Sequence, residues 1–87
     1  MRAAKVDATQ AEIVAVLRRA GCNVLSLATL GRGVPDLLVG AHGKLTLLEV
    51  KSEHGRLNHA QIRFRAAWGH NVCVVRTPAE ALMAVLR

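Results

Sequence analysis

The 87-residue chain is almost without aromatic side chains: one phenylalanine, one tryptophan and no tyrosine. That excludes an aromatic platform of the kind that stacks single-stranded bases, and it requires a core built from Leu, Val and Ala. Long apolar runs are also missing. None approaches the roughly 18 residues that a membrane helix needs, and the N-terminus lacks the apolar stretch of a signal peptide. A cytoplasmic protein without a membrane partner is the expectation. The two cysteines, Cys22 and Cys73, are far apart and form no C-x-x-C pair, so reduced thiols in apolar settings are expected. The four histidines show no metal-ligand spacing, and no Ser-His-Asp or Cys-His grouping offers nucleophilic catalysis. Acidic residues are few, six against twelve Lys and Arg, for a net charge of +6. That balance favours a polyanion and suits phosphate contact with structured nucleic acid.

What is present reads as one small α/β domain over residues 1–87. Ile13, Val16, Leu17 and Ala20 recur at helical spacing, with Asp7 or Thr9 as the cap and Gly21 as the stop. Residues 23–28 suit a short buried strand, and Gly31 and Gly33 bracket Arg32 in a loop. Two strands come next, over 35–41 and 44–52, joined at His42-Gly43, where positive φ is tolerated. A second helix spans 58–68 and stops at Gly69; a Val-rich strand spans 71–76. Thr77, Pro78 and Glu80 then mark a helix start: a cap, a proline at the first position and a capping-box glutamate. The order is α-β-β-β-α-β-α, a small mixed β-sheet flanked by helices.

The hairpin carries the chemistry. A two-residue turn at His42-Gly43 sets Ala41 against Lys44, Leu38 against Leu47 and Asp36 against Glu49. Alternation along the strand then puts Asp36, Glu49 and Lys51 on one face. Directly opposed carboxylates lie about 4.5–5.5 Å apart at Cβ and repel each other. Apolar neighbours sharpen the repulsion, and Lys51 neutralises only one charge. A divalent cation compensates, because Mg²⁺ binds through one or two carboxylates. Lys51 is then placed to orient a water or to stabilise phosphate charge, which is the logic of phosphodiester hydrolysis. The alternative is an edge hairpin with incidental charges. A three-residue loop would also undo the pairing by setting Asp36 against Val50.

Gly33-Val34-Pro35-Asp36-Leu37-Leu38 followed by Leu48-Glu49-Val50-Lys51 resembles the signature of the PD-(D/E)xK nuclease superfamily. Gly55-Arg56-Leu57, Gln61 within a helix, and Gly69-His70-Asn71-Val72 resemble its VRR-NUC branch, over nearly the whole chain. The resemblance implies a restriction-endonuclease-like core. It also implies Mg²⁺ or Mn²⁺ held by Asp36, Glu49 and the backbone carbonyl of Val50, with Lys51 assisting the hydrolytic water. It further implies a metal-binding role for Glu12 on the first helix, although Thr9 to Glu12 also reads as a capping box. Gln61 would hydrogen-bond the water or Lys51, although Asn58 to Gln61 is a possible capping box too.

Stand-alone members of that branch look like archaeal Holliday junction resolvases, which act as dimers on four-way junctions, while others are fused to helicase or repair modules. The expectation is therefore a metal-dependent, structure-selective DNA endonuclease, homodimeric, with a helicase as a conceivable partner. A chain this short would suit a phage protein. Arg56, His59 and Arg63 on one face of the second helix, with Arg32 in its glycine loop, are the candidate phosphate contacts. The apolar last helix, with Leu82, Met83 and Leu86, is a candidate dimer interface. Alternatives of other classes are a catalytically inactive nucleic-acid-binding or assembly subunit, and a nuclease acting on flaps or other DNA structures.

Overall fold

The computed structural model describes residues 4–86. Helix α1 (Ala4–Arg19) leads into strand β1 (Asn23–Ser26), then β2 (Leu37–Ala41) and β3 (Lys44–Val50). Helix α2 (His59–Trp68) and a single 3₁₀ turn (Gly69–Asn71) lead to β4 (Val72–Val75) and helix α3 (Pro78–Leu86). The four strands form one mixed sheet in the order β1-β2-β3-β4. The first three pair antiparallel, and β4 runs parallel to β3. The expected αβββαβα order is what the chain adopts.

The hairpin register is set at its turn. His42 and Gly43 have φ of 54° and 77°, the left-handed pair that a two-residue turn demands. Ala41 accordingly pairs with Lys44, and Leu37 with Leu48. Leu37, Val39, Leu48, Val50 and Val75 point to one side of the sheet and pack with Ile13 and Leu17 of α1 and Ala81 and Val85 of α3. Leu45, Leu47 and Glu49 point to the other side, where α2 lies.

Both framework helices are closed by local hydrogen bonds. At the end of α1, Gly21 has φ of +92°, its N–H reaches the Arg18 carbonyl at 3.0 Å, and the Cys22 N–H reaches that of Leu17 at 3.0 Å. This is a Schellman stop, with Cys22 and Leu17 both buried beneath it. At the start of α3, the Thr77 hydroxyl accepts from the Glu80 N–H at 3.1 Å, while Glu80 Oε1 accepts from the Arg76 N–H at 2.7 Å. The glutamate thus reaches one residue beyond the cap.

Three expectations are corrected. Helix α1 begins at Ala4, so Asp7 and Thr9 lie inside it and cap nothing. Strand β1 is not buried: it ends at Ser26 on the sheet edge, where only the Val24 side meets the core, and Leu25 is 58% exposed. Strands β2 and β3 are each two residues shorter than expected, because buried Pro35 has no N–H to extend the ladder. Both cysteines are free, Cys22 buried and Cys73 half-buried. Among the described residues no helix is long and apolar enough to cross a membrane. On α3, Leu82 is half-buried while Met83 and Leu86 stay exposed.

Helix α2 buries none of its residues. Phe64 stacks on Trp68 with ring centroids 5.0 Å apart, one helical turn along. Its start is fixed by a reciprocal capping box with Asn58 and by a close backbone approach from the preceding loop. The Val34 N–H closes a turn onto the Gly31 carbonyl at 3.0 Å, with Arg32 and Gly33 both left-handed, φ 57° and 83°. A Cβ on Gly33 would strike the Ala60 carbonyl and lie 3.0 Å from the Gln61 nitrogen. Gly31 also has positive φ, +65°, but faces open space. Gly33→Ala is therefore expected to be less stable than Gly31→Ala by roughly 1–3 kcal/mol, the usual cost of overpacking. Urea unfolding followed by circular dichroism measures the difference, and equal values would deny the contact.

Candidate active site

The antiparallel register, carried one residue past the ladder, sets Asp36 opposite Glu49. Asp36 is held from two directions. Its carbonyl accepts the Leu27 N–H at 2.8 Å, and its Oδ2 accepts the Val50 N–H at 2.8 Å. The continuing register places Pro35 against Val50, and Pro35 has no N–H to donate to the Val50 carbonyl, so the ladder stops there. The Val50 amide is taken by the Asp36 carboxylate in place of a ladder carbonyl.

Val50 contributes a second backbone group. The Lys51 N–H donates to the Val75 carbonyl of β4 at 3.0 Å. In a trans peptide the C=O points opposite to the N–H, so the Val50 carbonyl points away from β4, towards the strand that carries Asp36. The carboxylates of Asp36 and Glu49 and the Val50 carbonyl thus converge at one end of the hairpin.

Glu49 is only 3% exposed. Its Oε2 accepts from Gln61 Nε2 at 3.2 Å and faces Lys51 Nζ at 3.8 Å. Its pKa is pushed up from 4.5 to about 8, first by burial and then by the Asp36 carboxylate beside it, both through charge and by hydrogen bonding, while Lys51 pulls it down. Burial and the neighbouring carboxylate together outweigh the single ammonium.

Gln61 resolves a choice that the sequence leaves open. Its Oε1 accepts from the Asn58 N–H at 2.9 Å, and its own N–H donates to Asn58 Oδ1 at 2.9 Å. Capping uses up the amide oxygen, which turns the NH₂ towards Glu49. The capping box and the site contact are one arrangement.

Of the other candidates, Glu12 is exposed on α1. Among the described residues no three His, Cys, Asp or Glu side chains gather into a group that could hold a metal. His59 and Arg63 are exposed one turn apart on α2, whereas Arg56 lies outside the helix, in the segment before its N-cap. Arg32 is exposed at the tip of the turn whose next residue, Gly33, touches the start of α2.

Three contacts are not written in the motif. The Val50 amide has a signal only in Pro35, which marks where the ladder ends. Gly33 stands in the motif, but its approach to Ala60 does not show in the sequence. Arg76, whose Nη1 donates to the carbonyls of Ser52 at 2.6 Å and Gly55 at 2.7 Å, has no signal, because backbone acceptors carry no side-chain signature. Comparison of the chain with protein-family models, with curated proteins and with solved structures finds no match.

The raised Glu49 pKa has a thermodynamic consequence. The folded state holds the Glu49 proton more tightly than the unfolded state, so this contribution is fully present below pH 4.5 and declines as pH rises to about 8. In EDTA, wild type is expected to lose stability between pH 5 and 8 more steeply than Glu49→Gln. At pH 8.5 the variant is expected to melt at least roughly 4–8 °C higher, the equivalent of about 1 kcal/mol in a domain this size. Parallel pH dependences in thermal melts would mean that Glu49 is not held this way.

Proposed function

We propose that this chain is a divalent-metal-dependent nuclease of VRR-NUC type, built on a restriction-endonuclease-like core, that hydrolyses DNA phosphodiester bonds. The observation that carries the reading is the Asp36 carboxylate bonded across the strands to the Val50 amide. It gathers two carboxylates and a carbonyl beside Lys51 at one end of the hairpin. This is a hard oxygen donor set of the kind Mg²⁺ and Mn²⁺ take, and its charge is short of what two carboxylates need. Asp36, Glu49 and the Val50 carbonyl would hold the cation.

A bound cation supplies Lewis acidity to the phosphate and lowers the pKa of the hydrolytic water. The rest belongs to the chain. Lys51 stabilises the charge that builds on the phosphate or orients the water, and it is kept at the site by Glu49 and by the β4 bond at its own amide. Gln61 holds Glu49 through its capped amide. Arg32, Arg56, His59 and Arg63 are exposed and would serve as donors for backbone phosphates, which set register and affinity without reading sequence. A preference for four-way junctions and a homodimer follow from the family resemblance: a two-fold dimer supplies two sites for two symmetric cuts. A cytoplasmic location accords with this reading.

A labelled four-way junction and a linear duplex, each incubated with Mn²⁺, Mg²⁺ or EDTA, test the proposal. Paired, metal-dependent incisions in the junction are expected. Asp36→Ala and Lys51→Ala should each lose about 10²–10³-fold in rate, the scale of removing one charge-stabilising group. Junction binding without cleavage under every metal would favour the non-catalytic subunit, and equal cutting of both DNAs would discard the junction preference. Mn²⁺ should also raise the melting temperature of wild type but not of Asp36→Ala, since a ligand of the folded state alone stabilises it.

A further inference from the structure

We infer that Arg76 is a positioning residue for Lys51, acting through the turn next to it in the chain; the inference rests on the nuclease reading of the site. Lys51 is the first residue beyond β3, and its backbone is fixed by β4. The chain then enters a tight turn, closed by the Gly55 N–H on the Ser52 carbonyl at 3.1 Å. Ser52, Glu53 and His54 are all exposed, so no buried side chain anchors it. Yet the turn folds against the base of Lys51. A Cβ on Gly55 would lie 3.6 Å from Lys51 Cβ and 3.0 Å from Ser52 Oγ. A turn free to move would release the stem of Lys51, which brings positive charge to Glu49.

Arg76 supplies the anchor. A single guanidinium nitrogen, Nη1, bridges both ends of the turn through the Ser52 carbonyl at 2.6 Å and the Gly55 carbonyl at 2.7 Å. These are charge-assisted bonds, the stronger class. Arg76 is itself held at the start of α3, its N–H on Glu80 and Glu80 on Thr77, while Ala81 and Val85 of that helix lie in the core. A continuous path thus runs from the core through α3 and Arg76 to the turn, and from the turn to Lys51. Arg76 Nη1 spends both its hydrogens on backbone carbonyls, and the ion pair to Glu49 comes from Lys51. It therefore acts on geometry and not on the reacting atoms.

The test is a double-mutant cycle on junction cleavage, with trypsin sensitivity read in parallel. Arg76→Ala is expected to lower kcat by roughly 10–100-fold with KM unchanged, the scale of a small misplacement. Arg76→Lys, which keeps a charged donor, is expected to recover part of the loss. In the Lys51→Ala background, Arg76→Ala should cost no more than about twofold further, because the two act as a unit. Ile13→Val, a core truncation on α1 and outside that path, should lower the melting temperature while leaving kcat at wild-type level. Additive losses, or a KM effect alone, would overturn the inference and make Arg76 an independent DNA contact.

Trypsin reports the same holding without catalysis, because the Lys51–Ser52 bond lies at the turn. Arg76→Ala should speed cleavage of that bond several-fold relative to the other tryptic sites the two proteins share, Ile13→Val should not, and an unchanged rate at Lys51–Ser52 would overturn the inference. If wild type cuts no DNA in any metal, the nuclease reading fails on its own, and the trypsin result still decides whether Arg76 holds the turn.

Discussion

The pairing of β2 with β3 governs everything at this site, and two residues of positive φ at its turn fix that pairing. A slip of one residue would move every side chain of one strand to the opposite face of the sheet. Leu48 and Val50 would leave the core for solvent, and Glu49 would enter it. The aliphatic core and the acidic site are therefore two readings of the same register, one on each face. Burial of Leu37, Val39, Leu48 and Val50 against α1 and α3 enforces the arrangement that sets Asp36 across from Glu49.

The site then depends on where the ladder fails. Pro35 has no N–H to extend it, and beside that break the Asp36 carboxylate takes the Val50 amide. A short peptide segment thereby gives Asp36 a fixed direction without any further side chain. Glu49 has the opposite surroundings. It is buried, and its charge is opposed by Lys51 only at 3.8 Å, too loosely to offset both desolvation and the neighbouring Asp36. One carboxylate is thus ordered by a backbone amide, and the other is held by the Gln61 amide in surroundings that oppose its charged form.

Much of this is legible in the residues alone. The hairpin register comes from His42-Gly43 and the period of two, and the bounds of α2 and α3 come from Asn58, Gly69 and Thr77-Pro78, because caps and stops are written in single residues. The edges of elements are less legible. The apparent cap at Thr9 is a helix interior, since a cap residue is recognisable only if the chain before it is not helical. Strand β1 carries Val and Leu like a buried strand, yet the third layer that would bury Leu25 is absent at that edge. Gln61 reads as a choice between capping and chemistry because sequence spacing does not say that an amide has two ends. Contacts between a side chain and distant backbone, such as Arg76 with Ser52 and Gly55, have no pattern to betray them.

Helix α2 brings Gln61 to the centre while burying none of its own residues. It rests on a capping box, on the Gly33 seam and on Arg65, whose Nε reaches the Val72 carbonyl at 3.2 Å. These are few attachments beside the packed layer of α1, α3 and the sheet. Asp36, Glu49 and Lys51 thus stand on elements joined by apolar burial, while the amide that steadies Glu49 is carried by a helix joined to them through polar contacts. Stability is not uniform in such an arrangement: breaking those few polar contacts would free the Gln61 amide with the aliphatic core left intact.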